Sequence, residues 1–209
     1  MSLINHDVLN RFSRLLKSGR MAHAYLFAGP KGIGKSQTAL CVAQLVNCEK
    51  RIEGHTHEAC GQCSSCLRIV SRNHPDIFFI DCGDSESIKI AQIRELMTRL
   101  QMRSFEAPTK ICIIKDIETM TSDSSNALLK TLEEPAKDTL IILTTSVPEE
   151  NLATVVSRCH LIKFYPLSVS ALRAHLIADN QFEPPVAQSL AAFSQGSLAC
   201  AIEPFAIED

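Results

Sequence analysis

Three short stretches hold residue types suited to phosphate and metal chemistry. In "GPKGIGKS", residues Gly29, Pro30, Lys31, Gly32, Ile33, Gly34, Lys35 and Ser36 fit G-x-x-x-x-G-K-[ST] in full. This pattern aims backbone N–H groups at phosphate oxygens where a helix begins, and the helix dipole there also favours an anion. Gly29 and Gly34 let the backbone wrap closely, Lys35 reaches the β- and γ-phosphates, and Ser36 ligates Mg2+. The implied ligand is ATP or ADP with Mg2+.

The second stretch, "KICIIKDIETM" (110–120), runs an apolar strand into Asp116. An acid at this place holds the Mg2+ shell in phosphate-loop folds, although a strand-end Asp also serves as an N-cap or a solvated turn residue. Nucleotide hydrolases often carry a second acid at the next position to activate the attacking water, and here that position is Ile117. By strand alternation Glu118 points the other way and is not assigned as the base.

The third is a run of cysteines. Cys48, Cys60, Cys63 and Cys66 give C-x11-C-x2-C-x2-C. Four thiolates within reach of one another suit tetrahedral Zn2+, and a closed shell of four cysteines leaves no position for water, so the metal is structural. An iron–sulfur cluster fits less well, because the fourth cysteine lies upstream and no Cys-Pro follows. His55 and His57 are spare ligands that four cysteines make unnecessary. The other five cysteines are expected to pack as small hydrophobes.

These stretches need a scaffold. Short β-rich runs alternate with helical patterns, which predicts a parallel sheet with crossover helices. Strands are expected at 24–27, 77–81, 111–115, 140–144 and 161–164. Helices are expected at 35–46, 88–102 and 124–134, the last capped by Asp123 and stopped by Pro135. The β-rich runs cease after Pro166, and about three short helices follow, at 168–178, 185–193 and 197–205. The predicted domains are 1–166, a nucleotide-binding α/β domain with a zinc insertion at about 48–66, and 167–209, a helical lid.

Composition narrows the class. The chain of 209 residues is 45% apolar with no Trp, ordinary for a soluble α/β protein. It lacks an apolar run long enough to span a membrane and its first residues do not read as a signal peptide, so a cytoplasmic location is expected. A net charge of −2 gives no global signature of nucleic-acid binding. Lys89, Arg94, Arg99 and Arg103 could meet a DNA backbone, but their spacing suits a solvated helix face equally well.

Several motifs together resemble one family. "HAYLFAGPKGIGKS", the four-cysteine insertion, "NALLKTLEEP" (126–135) and "SRC" (157–159) are similar to bacterial DNA polymerase III clamp-loader subunits of the AAA+ class. The resemblance covers nearly the whole chain. "HPDIFFID" (74–81) and the missing acid at Ile117 look like the delta prime group rather than the gamma/tau group.

The resemblance implies a RecA-like AAA+ domain with a five-stranded parallel sheet and a three-helix lid. It implies that Thr145 senses the γ-phosphate and that Arg158 is an arginine finger supplied in trans to a neighbouring ATP site. Without it, Arg158 reads as a surface ion-pair arginine. The implied partners are gamma/tau and delta-type subunits in a hetero-oligomer, with the sliding clamp and primed DNA reached through the complex. The chain would then be a stator within a DNA-directed DNA polymerase (transferase) assembly, binding nucleotide and hydrolysing it poorly.

The family also carries a C-terminal collar domain, which this chain does not extend to. In the ATPase subunits "GSL" is followed by an arginine, but position 199 here is Ala199. Rival readings are an ATP-hydrolysing gamma/tau subunit, a P-loop nucleotide kinase, and a zinc-stabilised module that binds no nucleotide.

Overall fold

The computed structural model describes residues 4–50, 58–147, 153–178 and 181–202. Five parallel strands form one sheet in the order β2-β3-β4-β1-β5. They are β1 (Ala24–Ala28), β2 (Ile77–Ile80), β3 (Lys110–Ile114), β4 (Thr139–Thr145) and β5 (His160–Lys163). Every residue of β1, β3 and β4 is buried. Helices cover both faces of a parallel sheet, so its inner strands read as continuous apolar runs.

Strand alternation divides the core in two. Tyr25, Phe27, Ile111, Ile113, Leu140 and Ile142 face a layer built with α1 (His6–Ser18) and α2 (Lys35–Asn47). Ala24, Leu26, Cys112, Ile114, Ile141 and Leu143 face α4 (Ile90–Gln101), α5 (Ser122–Glu133) and α6 (Ala153–Val156). Burying each large apolar side chain contributes roughly 1.5–3 kcal/mol. Between α2 and β2 lies α3 (Ser64–Val70), which packs on α2.

Helices α7 (Val169–Ala178), α8 (Pro184–Phe193) and α9 (Leu198–Ile202) share a separate small core of Leu172, Leu176, Ala187, Ala191, Leu198 and Ala201. Among the described residues no helix is long and apolar enough to cross a membrane.

The strands fall within a residue or two of their expected bounds, but some details differ. The N-cap of α5 is Thr121, whose hydroxyl accepts from the Ser124 amide, and not Asp123, which lies in the first turn. Helix α4 begins at Ile90 because Ile88 is drawn into a parallel bridge with Met120. The last expected helix is described only as far as Ile202, and residues 203–205 lie outside the described residues, as do His55 and His57. Helix α1 was not among the expected helices. Its limits are set by Asn5, which caps the Val8 amide, and by left-handed Gly19.

Candidate functional site

The chain order β1, then β2 on one side and β5 on the other, puts a crevice at the carboxyl ends of β1, β3 and β4. Open α/β sheets bind ligands at such a switch point. The loop Gly29–Ser36 leaves β1 there and enters α2. Gly34 is the N-cap of α2 with φ 87°, a left-handed value that suits glycine, and it offers no side-chain cap. The first-turn amides of α2 are therefore oriented toward whatever anion the loop encloses. Ile33 is buried beneath the loop, while Pro30 and Lys31 are exposed.

Lys35 is 5% exposed. Its ammonium donates to the carbonyls of Gly29 at 2.6 Å and Pro30 at 2.7 Å. Burial pushes its pKa down, while the Asp116 and Glu118 carboxylates pull the other way. Both acids therefore act on the loop lysine. Ser36 follows it, partly buried, on the first turn of α2.

Asp116 does not continue β3. It takes a left-handed conformation, φ 52°, and its amide donates to Thr144 Oγ1 at 3.0 Å. A single 3-10 turn, Ile117–Thr119, follows. This turn explains two findings. Ile117 is 4% exposed and joins the core under the sheet, so an apolar side chain fits there. Glu118, by contrast, is brought to the crevice, because strand alternation ends at Ile114.

The Glu118 carboxylate accepts from the Ser146 amide at 3.0 Å and from the Ser146 hydroxyl. Its Oε2 is buried with no partner among the described residues. Burial pushes the Glu118 carboxyl up, but hydrogen bonds from Ser146 and Thr145 outweigh this and hold it below its ordinary value. Thr145 is fully buried at the end of β4, and its carbonyl accepts from the Gly29 amide at 3.1 Å. The phosphate loop, the Asp116 turn and the end of β4 thus form one hydrogen-bonded unit. Its loop amides, ammonium, hydroxyl and two acids fit a nucleotide phosphate with a divalent cation.

Helix α9 closes against this loop. The Ala199 amide approaches the Gly32 carbonyl at 3.4 Å. Gly32 has φ 74°, and a Cβ there would run into Ser197 and Ala199.

The four cysteines come together at one end of α3. The Sγ atoms of Cys48, Cys60, Cys63 and Cys66 all lie within 4.8 Å of one another. A tetrahedral Zn–S shell needs separations of about 3.8 Å. Backbone amides already point at the sulfurs, from Cys60 to Cys48, Cys63 to Cys60 and Cys66 to Cys63. Amides of Gln62 and Cys63 lower the Cys60 thiol to about 6, while burial pushes the Cys66 thiol up. The donor set fits zinc; Gln44 of α2 donates to the Cys66 carbonyl and ties the module to that helix, while Glu49 accepts from the Ser65 amide within the module.

Arg158 lies apart from the crevice, in the turn between α6 and β5. Its side chain is 33% exposed and pairs with Glu133 at the end of α5. The basic residues proposed for DNA do not form a stripe. Arg94 and Arg99 stand about 140° apart around α4, and Arg99 pairs with Glu95 at 2.6 Å. An open groove of about 570 Å3 along the outer edge of β2, lined by Arg72, Phe78, Phe79 and Arg99, is separate from both sites.

Sequence reasoning missed Glu118 as a crevice residue and Glu133 as the partner of Arg158. Both acids are visible in the sequence, but the left-handed turn at Asp116 and the contact between α5 and the turn after α6 are not.

The family described as "DNA polymerase III, delta subunit" matches residues 4–168. The DNA polymerase III subunit delta' of Bacillus subtilis is 38% identical over 191 residues, 91% of this chain and 56% of that protein. The Escherichia coli DNA polymerase III subunit tau is 33% identical over 200 residues, 93% of this chain and 30% of that protein. The chain thus spans just over half of the first relative and under a third of the second. Among solved structures, a Thermotoga maritima DNA polymerase III gamma subunit-related protein superposes with a TM-score of 0.56 at 19% identity, covering 96% of this chain and 63% of that one. The Thermotoga maritima RuvB Holliday junction branch migration motor gives 0.59 at 17% identity, covering 96% and 60%. At those identities the likeness concerns the fold alone.

Proposed function

Since the chain belongs to the DNA polymerase III delta subunit family, we propose that it serves DNA replication as a delta prime-type clamp-loader subunit whose main chemical contribution is made to a neighbour. In this reading it is a stator within a hetero-oligomer with gamma/tau and delta-type subunits. Arg158 completes the ATP site of an adjacent ATPase subunit, and the assembly loads the sliding clamp onto primed DNA. A guanidinium stabilises charge spreading over the γ-phosphoryl oxygens, and supplying it in trans makes hydrolysis depend on assembly.

The observation that carries the stator reading is the burial of Ile117 in the core beside the Asp116 turn. The position that would activate water faces apolar side chains. Positioning groups without a water-activating acid support binding far better than turnover. The loop Gly29–Ser36, with Asp116 and Thr145, is the proposed site for ATP or ADP with Mg2+. Cys48, Cys60, Cys63 and Cys66 are the proposed ligands of one structural zinc, and residues 167–209 are the proposed lid.

One observation favours the rival ATPase reading: Glu118 lies at the crevice and acts on Lys35. Turnover by the purified chain separates the two. The stator reading predicts ATP binding that Lys35→Ala weakens, with no sustained hydrolysis. Steady ATP turnover abolished by Lys35→Ala would contradict it. Elemental analysis should find about one zinc per chain, and Cys63→Ser should release it and loosen α3.

A further inference from the structure

The guanidinium of Arg158 is already engaged within its own chain. Nε donates to Glu133 Oε1 at 2.9 Å and Nη2 to the same oxygen at 2.5 Å. Nη1 donates to the Thr154 carbonyl at 2.8 Å. The edge formed by Nε and Nη2 is one of the forks with which arginine grips a phosphate. A carboxylate and a phosphate cannot both hold that edge.

The setting of Glu133 makes its hold on Arg158 exchangeable. It is the last residue of α5, where the helix dipole disfavours an acid. Its side chain is 51% exposed, so water and salt screen the pair, and such pairs contribute little net stability. The arrangement keeps the guanidinium in one place without fixing it there.

We propose that Glu133 is a cis latch on Arg158, occupying the phosphate-gripping edge until the triphosphate of a docked neighbour displaces it. The role is a positioning one, acts through Arg158, and rests on the reading of Arg158 as a finger. A restrained finger lowers the fraction of assemblies competent to hydrolyse before the clamp and DNA arrive. Removing the restraint raises that fraction and leaves the fully engaged state unchanged.

The test uses a loader reconstituted with the full-length chain carrying wild-type sequence, Glu133→Gln, Arg158→Ala, or both. Glu133→Gln keeps the shape and removes the charge. ATPase without clamp and DNA should rise about two- to fivefold, the range an exposed ion pair can supply. The maximal rate with clamp and DNA should stay at the wild-type value, and the double variant should match Arg158→Ala alone. A Glu133→Gln loader with the wild-type unstimulated rate, or with its maximal rate lowered toward that of Arg158→Ala, overturns the latch. So does a gain that survives in the double variant. An Arg158→Ala loader with the wild-type rate overturns the finger reading itself, which separates the two failures.

Discussion

Two cationic side chains are suited to touch a phosphate, and the fold treats them in opposite ways. Lys35 is buried at 5% exposure, with its ammonium bound to carbonyls of its own loop. Arg158 stands at the surface beside the end of α5, held by the exposed Glu133 carboxylate and the Thr154 carbonyl. The lysine belongs to a crevice stitched from the phosphate loop, the Asp116 turn and the end of β4. The arginine belongs to a corner that shares none of those bonds. In a chain whose water-activating position is a buried isoleucine, the proposed division of labour gives holding to the crevice and transition-state chemistry to the exposed corner.

The largest expected effect tests whether the crevice can be damaged alone. Gly32→Val forces a β-branched residue to φ 74° and drives its Cβ into Ser197 and Ala199. Together the strain and overpacking should cost about 2–4 kcal/mol in urea denaturation, and nucleotide affinity should fall. If the two regions are independent, a loader carrying folded Gly32→Val retains the activity that depends on Arg158. Loss of that activity would show that the corner leans on the loop.

A smaller effect probes the stitching. Glu118→Gln removes the charge that Ser146 and Thr145 satisfy, at an expected cost of about 1–2 kcal/mol for a half-buried acceptor. The folded Glu118 carboxyl titrates below its ordinary value of 4.5. A depressed carboxyl stabilises the fold above its unfolded pKa, and this contribution is lost as pH falls through the folded value. The gap between wild type and variant should therefore be full at pH 7 and close below the ordinary carboxylate range. A gap unchanged at low pH would remove Glu118's charge from the account.

The same contrast explains what the sequence revealed. The strands were readable because helices cover both faces, which leaves runs such as Ile111–Ile114 apolar throughout. The phosphate loop and the four cysteines were readable because their chemistry fixes their spacing. The crevice acid was not. Strand alternation sets Glu118 opposite to Ile117, the position where the water-activating acid is expected, whereas a left-handed Asp116 ends the alternation and brings Glu118 in. Nor did the cap of α5 follow: Asp123 was expected, but Thr121 is also a good capping type and takes the position. Arg158 and Glu133 are 25 residues apart on separate elements, so only the packing of α5 against the turn after α6 joins them.

Whether Arg158 acts on a neighbour's nucleotide is decided by single-turnover ATP hydrolysis in the reconstituted loader. With Arg158→Ala, the isolated chain should keep its nucleotide affinity and its stability to within about 1 kcal/mol, as removal of an exposed ion pair requires. Hydrolysis at the adjoining subunit should fall about a thousandfold, the scale of a finger supplied in trans. Hydrolysis at the wild-type rate by an intact Arg158→Ala assembly would contradict the account.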